Sequence, residues 1–143
     1  MTPKEYLSQI RCLDEKLKHR KQQIEEIRTK CIHVSGIDYS KDKVQTSGGN
    51  GQERLIVKYL DLVKELEADL LAFRIKQTNI IREIEELPNE KYMRLLYARY
   101  VQYKSLEQIA VEMHYNFTYV RRMHGEALEM FRKEVMELNT KGE

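Results

Sequence analysis

Arg121 and Arg122 close a short run in which Asn116, Phe117, Thr118 and Tyr119 come first and Gly125 follows. An arginine offers a planar fork of donors that fits guanine O6 and N7 bidentately, and a threonine meets a base edge or a thymine methyl. A glycine on the same side of a helix lets a phosphate or another backbone come close. Chemistry of this kind reads double-stranded DNA. The candidate DNA-binding residues are therefore Asn116, Phe117, Thr118, Tyr119, Arg121, Arg122 and Gly125.

Other chemistries find little support. His114 and His124 have no cysteine beside them, and Cys31-x-His33 lacks a second ligand pair at zinc spacing. "SGGNG" is not followed by the Lys-Ser/Thr of a phosphate loop, and no nucleophile elbow is present. The glutamates are spread along solvated helix faces. The expectation is a protein that is not an enzyme and uses no metal and no cofactor.

The elements that must hold the basic run are short helices. Ser105 is a good N-cap, and Gln108 three positions on completes a capping box. Leu106, Ile109, Ala110 and Met113 give that helix its buried face. His114 and Tyr115 make a turn, and Asn116 caps the next helix. There, over about 117–131, Val120, Met123, Ala127, Leu128 and Phe131 turn inward, leaving Thr118, Arg121, Arg122 and Gly125 on the opposite side. Upstream, Tyr92, Leu95, Leu96, Tyr100 and Val101 recur at helical spacing. Two short helices across a tight turn form the helix-turn-helix pattern, whose second helix enters the major groove.

The first part of the chain has a different rhythm. Tyr6, Ile10, Leu13, Leu17, Ile24, Ile27 and Cys31 alternate in steps of three and four, with Arg20 interrupting. Ile56, Tyr59, Val63, Leu66, Leu70, Phe73, Ile80, Ile84 and Leu87 repeat the stripe, with Gln77 interrupting and Pro88 and Asn89 ending it. Such narrow seams belong to coiled coils. "GIDYSKDKVQTSGGNG" between them is polar and reads as a mobile loop. The expected fold is all-α: a long antiparallel coiled-coil helical hairpin (1–87, loop 34–53), then a helix-turn-helix domain (88–143). Leu60, Leu62, Leu71, Ile75 and Ile81 lie off the second seam, more apolar surface than one facing helix covers. They call for the C-terminal domain or a second copy, so a homodimer or higher oligomer is expected.

Composition agrees with this outline. Charged residues make up 34% of the 143 positions, with six Gly, two Pro and no Trp, which favours charged helices over sheet. The net charge of +2 is nearly balanced, so contact with nucleic acid requires a local patch. Cys12 and Cys31 fall on one helix, too far apart for a bridge. With no apolar run long enough for a signal peptide or a membrane span, the expected location is cytoplasmic, with no membrane partner.

"SLEQIAVEMHYNFTYVRRMHGEAL" resembles the helix-turn-helix of region 4 of bacterial sigma factors, whose pattern Leu106, Ile109, Ala110, Val120, Arg121, Ala127 and Leu128 match. "LLYARYV" resembles the sigma helix that precedes it. With "VQTS" and "LPNEKYMRLLYARYV", most of the chain resembles a family of small phage and prophage proteins similar to late-gene transcription regulators of the ArpU/RinA type. The resemblance implies a sigma-region-4-like DNA-binding domain. Two departures stand out. His114 occupies a turn position usually held by glycine, where left-handed backbone is less comfortable for a side chain. Phe117, Thr118 and Tyr119 replace residues that are charged in sigma factors. Two functions follow: a phage or prophage transcription regulator that binds duplex DNA sequence-specifically, with RNA polymerase as a further partner; or a coiled-coil interaction protein docking on RNA polymerase or a phage packaging component.

Overall fold

The computed structural model describes the backbone of residues 1–41 and 46–141, and the side chains of residues 1–33 and 51–139. All regular structure among the described residues is helical. Helix α1 runs Pro3–Lys41 and α2 runs Thr46–Glu85. Helix α3, Glu90–Leu96, continues into a π-helical turn at Tyr97–Val101; α4 is Leu106–Met113 and α5 Phe117–Phe131. A second π-helical turn, Arg132–Glu137, leads into α6, Leu138–Lys141.

The chain forms two compact units: Glu15–Arg74, and Met1–Asp14 together with Ile75–Glu143. In the first, Arg20 Nε meets Asp69 at 3.2 Å and Arg28 Nη2 meets Glu67 at 3.2 Å. Partners advance along α1 as they retreat along α2, so the two run antiparallel. Leu17, Ile24 and Val63 are buried along this seam. Arg20, the interruption, is half-buried and lies 5.7 Å from the Phe73 ring centroid. Its charge thus sits at the seam's edge, packed on an aromatic face.

In the second unit the ends of α1 and α2 also pair antiparallel. Tyr6 donates its hydroxyl to Glu83 Oε1 at 2.7 Å. Gln77, only 6% exposed, donates Nε2 to the Ile10 carbonyl at 3.0 Å and to Asp14 Oδ1 at 2.5 Å. A buried amide must find such partners or carry a desolvation cost of about 1–3 kcal/mol. Gln77 therefore fixes register rather than filling a solvated edge.

Two sequence expectations change. The polar stretch 34–53, expected to be a mobile loop, is helical backbone up to Lys41 and again from Thr46; its residues 42–45 lie outside the described residues. A glycine lowers helix stability by about 1 kcal/mol at most, which a long helix absorbs. The unit holding α3–α5 also takes in residues 1–14 and 75–87, rather than beginning at Pro88. Leu7 shows why: it lies off the counted seam yet is fully buried, and its neighbour Tyr6 places its ring 5.8 Å from that of Phe131. The N-terminal turns of α1 belong to the core that supports α5.

Candidate nucleic-acid interface

Helix α4 begins as the sequence dictates. Ser105 Oγ accepts from Gln108 N at 3.2 Å, and Gln108 Oε1 accepts from Ser105 N at 3.0 Å, a complete capping box. Ile109 and Ala110 are buried. The helix ends at His114, which takes a left-handed backbone (φ 61°, ψ 39°) despite its side chain. His114 N donates to the Val111 carbonyl at 3.3 Å, and Tyr115 N to the Ala110 carbonyl at 3.0 Å. These two bonds form a Schellman closure, which offsets the modest cost of a non-glycine residue there.

Asn116 then opens α5: its Oδ1 accepts from Tyr119 N at 2.8 Å. Of the seven candidates, Asn116 thus has its side-chain oxygen committed to the cap. Val120, Met123, Ala127 and Phe131 are buried, and hold α5 against its own unit. Thr118, Arg121, Arg122 and Gly125 are exposed together on the outward face, with Phe117, 40% exposed, at its start. Tyr119 is half-buried, its ring 4.8 Å from that of Tyr115.

The two arginines differ. The Arg122 guanidinium lies 5.6 Å from the Tyr119 ring centroid, and its Nε is 3.9 Å from Glu126 Oε1. Its position is partly set before any ligand arrives. Among the described residues no hydrogen bond or ion pair engages Arg121, which projects into solvent. Gly125, one turn beyond Arg121, meets open space: a Cβ built there has nothing within 4 Å. Its backbone is not in the positive-φ region. Packing within the chain thus gives no reason for a glycine at this position, and a residue that weakens an exposed helix stands at the centre of its outer face.

Residues not singled out from sequence frame this face. On one flank Lys91 Nζ lies 5.5 Å from the Tyr115 ring centroid, which extends the aromatic–cation row through Tyr119 to Arg122. Tyr92 donates to Glu126 Oε2 at 2.8 Å, and that hydrogen bond to a carboxylate, followed by burial, raises the phenol pKa. On the other flank His124 shares a 2.9 Å hydrogen bond with the Tyr100 hydroxyl, and the two rings stack 5.8 Å apart. Burial, then the positive charges of Arg99 and Lys4, hold His124 below its ordinary value. Lys91 lies some thirty positions from Arg122, so spacing in the sequence gives no sign of that row.

No group of three or more His, Cys, Asp or Glu among the described residues has metal-binding geometry. Both cysteines carry free thiols, on one helix as expected. No helix among the described residues is long and apolar enough to cross a membrane. Comparison of the chain with protein-family models, with curated proteins and with solved structures finds no match.

Proposed function

We propose that this chain is a sequence-specific, double-stranded DNA-binding protein, a transcription regulator of phage type, with α5 as the recognition helix in the major groove. The observation that carries this reading is the outward face of α5. Thr118, Arg121 and Gly125 stand exposed on a helix whose opposite side is locked into a core, immediately after a capped helix and a Schellman turn. Arg121 serves as the base-reading fork and Thr118 as a second base contact. Arg122, held by Tyr119 and near Glu126, is suited to a phosphate.

A second reading rests on a different observation. Val111, 75% exposed on α4, and Phe117, 40% exposed at the start of α5, present apolar side chains to solvent on both helices of the pair. That suits docking on a protein such as RNA polymerase or a packaging component. Selection of bound sequences from random duplex DNA separates the two. Enrichment of one motif is the expected result. Recovery of unenriched DNA at every salt concentration leaves the protein-docking reading in its place.

A further inference from the structure

Beside α5, one small cavity gathers positive charge. Lys4, Ser8 and Arg11 from α1 and Arg99, Tyr100 and Tyr103 from the π-helical turn and its exit line a space of about 150 Å³. The lining holds three cations and no carboxylate. Among the described residues, Lys4, Arg11 and Arg99 take part in no ion pair. Like charges gathered in this way repel one another, and an entering anion relieves that repulsion.

The two arginines are positioned rather than merely adjacent. Arg99 donates Nη1 to the Lys104 carbonyl at 3.0 Å, which fixes its guanidinium. The Arg11 guanidinium lies 5.4 Å from the Tyr103 ring centroid. Tyr103 adopts left-handed backbone (φ 59°), uncommon for an aromatic residue, and so brings its ring to Arg11 and its hydroxyl to Asp14 Oδ2. Asp14 is the acid nearest in sequence to Arg11. Its two oxygens accept from Tyr103 and Gln77, and it forms no ion pair with Arg11. The π-helical turn, a feature often found at functional sites, presents Arg99 and Tyr100 from consecutive positions.

The cavity also adjoins the reading helix. Tyr100 lines it and is bonded to and stacked on His124, and Arg121 precedes His124 by one helical turn on the same flank of α5. We propose that the pocket of Lys4, Arg11 and Arg99 binds a phosphate group, supplied by the backbone of the duplex whose bases α5 reads. This rests on the DNA-binding reading, and it gives the α1 N-terminus a role in that contact.

The full chain, with 15N-labelled arginine, is titrated with inorganic phosphate and, at matched ionic strength, with sodium chloride. The Nε–H signals of Arg11 and Arg99 should move saturably with phosphate and not with chloride. Absence of any phosphate-specific movement overturns the site. The second arm measures duplex binding across a salt series. R11Q/R99Q should lower the salt slope by about one unit, the share of one phosphate contact, and leave the order of preferred sequences unchanged. R11K/R99K, which keeps the charge, should restore the slope, and circular dichroism reports folding of each variant. Phosphate binding with an unchanged slope in folded R11Q/R99Q overturns the backbone as source and makes free phosphate the occupant. If the parent chain binds no duplex while phosphate still moves Arg11 and Arg99, the DNA reading and the backbone source fail, and the phosphate site stands.

Discussion

Replacing Gly125 with alanine separates the demands of the fold from those of a ligand. The added methyl meets open space within the chain, and the backbone there is not in the left-handed region. Alanine is favoured over glycine inside a helix by about 0.8–1.0 kcal/mol. G125A should therefore be more stable than the parent, with a melting temperature higher by roughly 2–6 °C for a chain of this size. Gly125 is also one turn beyond Arg121 on the same exposed face. If a phosphate or groove wall approaches the glycine closely, the methyl overpacks that contact at a cost of about 1–3 kcal/mol. Binding then weakens by roughly 5- to 150-fold. Calorimetric melting and fluorescence anisotropy with a selected duplex measure the two effects on one variant. Increased stability with weakened binding is the expected pair. A stabilised G125A that binds as tightly as the parent refutes close approach at this position.

Two further outcomes follow from particular contacts. His124 is held below its ordinary value of 6.5, so the folded chain takes up its proton less readily than the unfolded chain. The stability this implies is complete above about pH 6.5 and falls as pH drops from there toward the lower folded value, and H124Q should remove that part of the pH dependence in urea-melting experiments. Leu60, Leu62, Leu71 and Ile75 are exposed in the single chain, Leu71 to 63%. Covering the exposed half of each stabilises by roughly 1 kcal/mol apiece, so light scattering should give a mass above 17.1 kDa; a monomer at tens of micromolar, a concentration of roughly the 1 µM–1 mM affinity range, removes the oligomer expectation.

Local chemistry made much of the fold legible. The Ser105–Gln108 box, the Asn116 cap and the inward set Val120, Met123 and Ala127 are written within a few residues of one another, and the structure has them so. His114 was readable as the turn but not as comfortable there, because the two closing bonds come from Ala110 and Val111 carbonyls rather than from the residue's own preference. Leu7 escaped because a seam is counted against one partner helix, whereas its burial is tertiary. The ends of the polar stretch read as loop but are helical, because glycine and serine disfavour a helix without forbidding it. The Lys4–Arg11–Arg99 cluster has no sequence signature, since it joins α1 to a turn some ninety residues away.

Paired arginine substitutions test most directly the proposal that α5 reads DNA. Both side chains are exposed on that helix, so neither R121A nor R122A should alter folding by more than about 0.5 kcal/mol. Binding of each variant is measured against a panel of duplexes across a salt series, with circular dichroism as the control. R121A should lose about 1–3 kcal/mol on the preferred site and relax preference at one base position. R122A should weaken all duplexes alike and reduce the salt slope by about one unit. Folded R121A and R122A proteins that bind every duplex as the parent does would contradict the reading helix outright.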